Sequence, residues 1–151
     1  MRFNRTCQIL CLLAITTTLA ACNDPVSAAK NTCPEGAQQY WKKFHGAVLK
    51  NDIDTIASIT QFPFVIVKSI IDESDKEQVD RAGFVKQFPL LLNIDPGVGS
   101  TPTTMKQLIT STKELSSSQC AAQGSQFNVS LWFFQSTSDG WRFVRAYTEE
   151  N

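Results

Sequence analysis

Few side chains in this chain have the type and spacing for chemistry, and each competes with a plainer role. His45 is the only histidine. Imidazole titrates near neutral pH, which suits it to general-base work. It falls four residues after Trp41 and three before Val48, at the border of an apolar helix face. Spacing puts no nucleophile or carboxylate beside it, so packing at that border is favoured over catalysis. Metal ligation is weaker still, for want of partners. Asp72, Glu73 and Asp75 would serve as paired carboxylates, yet among Ser74, Lys76, Glu77 and Gln78 they read as a solvated turn. Ser116, Ser117 and Ser118 lack the Gly-x-Ser-x-Gly context of a hydrolase nucleophile. No catalytic residue, metal site or cofactor is assigned.

Arg145 is the more promising cation. Strict alternation puts it on one strand face with Phe143 and Tyr147. Pointing inward, a guanidinium between aromatic rings would clamp a carboxylate or stack on a ring. Pointing outward, it would keep a sheet soluble. Trp132, Trp141 and Tyr147 suit a pocket or a partner surface, although packing in the core is the commoner fate of such rings. With Trp41 and His45 added, the ligand-binding candidates are Trp41, His45, Trp132, Trp141, Arg145 and Tyr147.

The elements that must position them follow from periodicity. Thr32-Cys33-Pro34-Glu35 reads as a helix start with a capping box. Ala37, Tyr40, Trp41, Phe44, Ala47 and Val48 then recur at spacings of three and four, one face of an amphipathic helix. Asn51-Asp52 breaks it and caps a second, short helix that ends before Pro63. Phe64 to Val67 is β-branched and aromatic, a strand followed by the charged turn Asp72 to Gln78. Asp80 caps a third helix, interrupted at Pro89. Asp95 to Ser100 is loop. Thr101-Pro102 opens another short helix with Met105, Leu108 and Ile109 inward.

The end of the chain is the clearest β signal. Residues 127–134 alternate, as do residues 141–147, across Ser138-Asp139-Gly140, which predicts a hairpin. The fold class expected is α+β, a long N-terminal helix on a curved antiparallel sheet closed by that hairpin.

Upstream, Arg2 and Arg5 precede an apolar run, Gln8 to Ala20, in the pattern of a secretory signal. The run is short of the roughly 20 residues that span a bilayer. The signal ends Leu19-Ala20-Ala21-Cys22, which resembles the bacterial lipobox. The resemblance implies cleavage before Cys22, a diacylglyceryl group on its sulfur and fatty acyl chains such as palmitate at the new terminus. An ordinary signal cut near Ala21, with Cys22 a structural thiol, is the plainer alternative. One acyl chain anchors marginally and several anchor stably. Asn23 is not the aspartate of inner-membrane retention, so the periplasmic face of the outer membrane is the expected address.

Of five cysteines, Cys7 and Cys11 would leave with the signal and Cys22 would carry lipid. Cys33 and Cys120 remain, and in an oxidising compartment a disulfide between them is the default. The domains are then a signal, 1–21, a lipid-anchored tether, 22–32, and an α+β domain, 33–151. Without Arg2 and Arg5 the chain keeps 12 basic against 14 acidic side chains, a net −2 with no basic stripe for nucleic acid.

The order of elements, with "FPF" at 62–64 and "GWRFVRAY" at 140–147, resembles the nuclear transport factor two-like family, an α+β cone. It covers roughly Pro34 to Thr148. The middle, Asp72 to Ser118, reads as more helical than that family, which leaves a cystatin-like or unrelated α+β arrangement open. The cone implies a pocket between helix and sheet.

Function is expected to be non-catalytic binding of a small ligand or periplasmic protein. The alternatives are a periplasmic inhibitor or immunity protein, with Asp95 to Ser100 as its loop, and a small cone-fold enzyme using His45. Replacing Cys22→Ser is expected to move the protein from the membrane to the soluble fraction on cell fractionation. Unchanged partitioning would remove the anchor.

Overall fold

The computed structural model describes residues 33–97, 103–120 and 124–148. The expected signal, Cys22, the tether and Thr32 lie outside them. Ten elements follow in order: α1 (Ala37–Lys50), α2 (Ile53–Ser58), β1 (Thr60–Val67), β2 (Lys76–Val79), α3 (Arg81–Leu91), α4 (Met105–Ser111), a 3-10 turn (Ser117–Gln119), β3 (Gln126–Val129), β4 (Trp132–Thr137) and β5 (Gly140–Tyr147). The five strands form one sheet in the order β2-β1-β5-β4-β3. The architecture is α+β.

The sheet is mixed, which corrects the antiparallel expectation. β1 runs parallel to β5, with Val65 opposite Arg145 and Val67 opposite Tyr147. The remaining pairs are antiparallel. A parallel neighbour needs a crossover, and α3, α4 and the β3–β4 hairpin supply it between β1 and β5. The charged stretch read as turn contains β2, whose Val79 pairs with Phe64 and is buried.

α1 begins at Ala37 rather than near Thr32. Gly36 precedes it at φ 77°, and a Cβ there would lie 3.4 Å from the Trp141 ring. Both the left-handed backbone and the close ring favour glycine. The buried face is Ala37, Tyr40, Trp41, Phe44, Ala47 and Val48, as the spacing predicts. Asp52 caps α2 by accepting from the Thr55 N–H at 3.0 Å, and Asp80 caps α3 through the Gly83 N–H at 2.7 Å. Two bonds from Thr55 hold the Asp52 carboxyl below the usual carboxylate range.

α3 runs through Pro89 instead of breaking there. Proline removes one helical hydrogen bond close to the C-terminal end, while Phe88 and Leu91 on either side stay buried. α4 is capped by Thr104 with Gln107 reaching back, and buries Met105 and Ile109.

The run 127–134 is two strands and a turn. Val129 pairs with Trp132 across Ser130-Leu131, and Ser130 takes φ 49°. Directly opposed residues share a face, so Phe127, Val129, Trp132 and Phe134 all point to the core. Phe133 does not, and Leu131, in the turn, packs half-buried at the edge of the core. Inside, α1 meets the sheet ring to ring: Phe44 lies 5.1 Å from Phe134, 5.4 Å from Phe143 and 6.0 Å from Trp132.

A disulfide joins Cys33 to Cys120 across a separation of 87 residues. It ties the start of α1 to the segment that bridges to Phe127. Closing a loop that long stabilises by about 4–5 kcal/mol in the chain-entropy model. Replacing both cysteines with serine is expected to lower unfolding free energy by about 2–5 kcal/mol in urea titrations. Reductant should then weaken the parent protein and leave the variant unchanged.

Candidate functional site

β5 alternates only to its middle. Trp141 and Phe143 face the core, and regular alternation would send Arg145 after them. Instead Phe134 pairs with Phe143 while Phe133 pairs with Arg145, so Val144 is an extra residue on β5. The bulge shifts the pattern by one. Ala146 takes the inward position, buried in the core, and Arg145 faces out. Arg145 therefore shares no face with Phe143, which corrects the alternation drawn from sequence. Its companions are Phe133 across β4 and Tyr147 two residues on.

There the guanidinium carbon lies 4.8 Å from the Phe133 ring centroid and 5.1 Å from that of Tyr147. The two rings stand 5.4 Å apart. Cation–π attraction orients the fork without using its N–H groups. The nearest acceptor is Glu73, Oε2 at 3.9 Å from Arg145 Nη1, an ion pair too long for a hydrogen bond. Among the described residues nothing accepts a hydrogen bond from Arg145, although its side chain is only 34% exposed. The other Glu73 oxygen is engaged: the Tyr147 hydroxyl donates to Oε1 at 2.6 Å. Burial, and then that bond to Glu73, raise the Tyr147 pKa, so the hydroxyl stays a donor.

Glu73 arrives from the β1–β2 loop. Ser69 Oγ accepts from the Ile71 and Asp72 N–H groups, and Asp72 accepts from Ser74. Asp72 and Asp75 thus serve a solvated turn, as read, whereas Glu73 crosses to β5. The turn lifts Ile71 fully into solvent at 99% exposure, with Ile70 half exposed behind it.

Two clefts flank Arg145. One, about 180 Å³, is lined by Ile70, Glu73, Leu131, Phe133 and Tyr147. The other, about 280 Å³, is lined by Val65, Gln126, Phe133, Gln135, Val144 and Arg145. A third cleft of about 170 Å³ opens between helices among Val48, Ile56, Phe88 and Leu92. Its cation, Lys106, donates to Asn51 Oδ1 at 3.1 Å.

The other candidates are elsewhere. Trp41 and Trp132 are fully buried and Trp141 nearly so. They belong to the packed core because α1 lies against the sheet with rings filling the space where the cone implies a pocket. Trp41 Nε1 donates to the Thr112 carbonyl at 2.8 Å, and Trp141 Nε1 to that of Glu35 at 3.0 Å. Trp132 Nε1 has no acceptor among the described residues. His45 is half-buried, with Nε2 3.3 Å from the Thr110 carbonyl. Gln38 completes a stripe along α1, donating to the Leu115 carbonyl at 2.7 Å and accepting from its N–H at 3.1 Å. Gln38, Trp41 and His45 thus clip the chain from 110 to 115 onto the helix.

Of six ligand-binding candidates the structure brings together two, Arg145 and Tyr147. Phe133 and Glu73 join them. Phe133 was visible in the alternating run 127–134; Glu73 was weighed only as one of three carboxylates in a solvated turn, and nothing tied it to Tyr147, 74 residues on. Among the described residues no group of three or more His, Cys, Asp or Glu is placed to hold a metal ion, and no helix is long and apolar enough to cross a membrane.

Trp41→Phe and Trp132→Phe remove similar volume, but only the first strands a carbonyl. Equilibrium unfolding is expected to show Trp41→Phe about 1 kcal/mol more costly. Equal losses would mean that the bond to Thr112 contributes nothing.

The chain matches no protein-family model, no curated protein and no solved structure.

Proposed function

We propose that this chain is a bacterial cell-envelope lipoprotein whose domain is a non-catalytic binding module. It rests on Cys22 acylation, faces the periplasm from the outer membrane, and engages a small ligand or a protein partner. The domain is read as a variant of the nuclear transport factor two-like cone, with binding moved from the interior to the outer sheet face. The observation that carries this is Arg145, half-buried against two adjoining rings, with no hydrogen-bond acceptor among the described residues. With its side chain a third exposed and Glu73 too far to hydrogen-bond, its fork is open to an acceptor brought from outside.

Size bears on the occupant. Drug-sized ligands fill about 300–1,000 Å³, and the clefts beside Arg145 are about 180 and 280 Å³. A small molecule fits, or one end of something larger. The second reading, an inhibitor or immunity protein, is favoured by Ile70 and Ile71, because two adjacent exposed apolar side chains on the loop that carries Glu73 suit a protein surface. It moves the expected inhibitory loop from Asp95–Ser100 to the β1–β2 turn. Of the former, Pro96 accepts from Ser130 Oγ at 2.6 Å, and residues 98–100 lie outside the described residues. The enzyme reading is the weakest of the three, since His45 Nε2 lies against a backbone carbonyl.

A photo-crosslinking amino acid at Gln135, on the outer face, and another at Lys50, on α1, separate the faces in intact cells. Adducts are expected at Gln135 alone, and Arg145→Ala should abolish them. Equal labelling at both positions, or none at Gln135, would overturn the outer-face reading.

A further inference from the structure

Glu73 is placed as a ligand would be. Its carboxylate lies 3.9 Å from a guanidinium that rests against the Phe133 and Tyr147 rings. One oxygen takes the tyrosine hydroxyl at 2.6 Å, yet the other stops 3.9 Å short of Arg145. An optimised arginine–carboxylate pair is bidentate at about 2.7–2.9 Å. The loop carrying Glu73 is closed by Lys68 N–H to the Asp75 carbonyl at 2.9 Å and by the Ser69 and Asp72 turns. The turn brings the carboxylate to Tyr147 and leaves it short of full contact with Arg145.

Resting on the outer-face reading, we propose that the site binds a carboxylate, for which Glu73 is the internal surrogate. The incoming carboxylate displaces Glu73 from Arg145 and takes the fork, while the guanidinium stays against the Phe133 and Tyr147 rings. An apolar group next to that carboxylate enters the cleft of Ile70, Leu131 and Phe133. Phosphate meets the same cation but carries nothing for an apolar wall, so the cleft favours an acid with a hydrocarbon neighbour. Such a carboxylate can come from a small organic acid or from the C-terminus of a peptide.

Calorimetric titration of the full-length, membrane-reconstituted protein tests this with four probes: N-acetyl-leucine, its amide, inorganic phosphate, and an acetylated Ala-Ala-Ala-Leu peptide with a free C-terminus. The two acids should bind and the amide should not. Arg145→Lys, which keeps charge but loses the planar fork, should weaken the acids by about tenfold or more. Glu73→Gln should tighten them, because the competitor loses its charge. Peptide tighter than N-acetyl-leucine identifies a chain terminus as the source; equal affinity identifies a small acid. Unchanged thermal melting of both variants would exclude misfolding as the cause. The proposal is overturned if amide matches acid, if phosphate alone binds, or if Glu73→Gln weakens the acids. Where no probe binds but crosslinking at Gln135 persists, the carboxylate is wrong and the outer face stands; where both are silent, both fall.

Discussion

One extra residue in the central strand sets what each face of the sheet can be. Without the bulge at Val144, Arg145 would follow Phe143 inward, into a space packed with aromatic rings. An unpaired guanidinium there would cost several kcal/mol of desolvation, more than most domains could spare. Shifting the register by one sends alanine inward at 146, where little volume is available, and arginine outward at 145. The same shift carries Tyr147 outward beside it, so a single backbone irregularity assembles the candidate site and keeps the core dry.

The core depends on that division in turn. Its packing is aromatic on aromatic, edge to face where Phe44 meets Phe134 and Phe143, and stacked where Phe127 meets Phe134 at 4.6 Å. Rings of this size interlock only when their strands hold register. The β3–β4 turn and the disulfide act on the same edge: Cys120 bridges to Phe127, and Phe127 pairs with Phe134. On the other side, Gln38, Trp41 and His45 hold the 110–115 segment by its backbone. His45 has a plain occupation in this arrangement. A histidine on a helix border, seven residues after a glutamine with the same task, is explained by the chain it clips.

Much of this was legible because it is local. The buried stripe of α1 follows from a 3.6-residue period, the Asp52 and Asp80 caps from residue type, and the Cys33–Cys120 pair from cysteine arithmetic within one compartment. What was illegible is non-local. Ser130-Leu131 carries none of the Asn-Gly or Asp-Gly signals of a tight hairpin, so two strands read as one and the aromatic faces came out inverted beyond it. β2 is short, charged and at the sheet edge, a composition that protects an edge and disguises a strand. The bulge has no marker in residue type, since Val144 is an ordinary strand residue. Once it is missed, Arg145 is given Phe143 as a neighbour in place of Phe133, and Glu73 stays in the solvated turn with Asp72 and Asp75.

A guanidinium can be stacked between rings for stability alone, and that explanation has to be weighed against binding. An arginine held against rings for stability gains about 0.5–2 kcal/mol from that contact, and more where a carboxylate also takes its fork. Among the described residues no acceptor takes the Arg145 fork, and Glu73, 3.9 Å away, accepts its hydrogen bond from Tyr147 instead. Ile71, exposed next to the half-exposed Ile70, is on the same loop that brings Glu73. Neither feature belongs to the packed core. They follow directly if the outer face is completed by something that brings an acceptor and an apolar surface together.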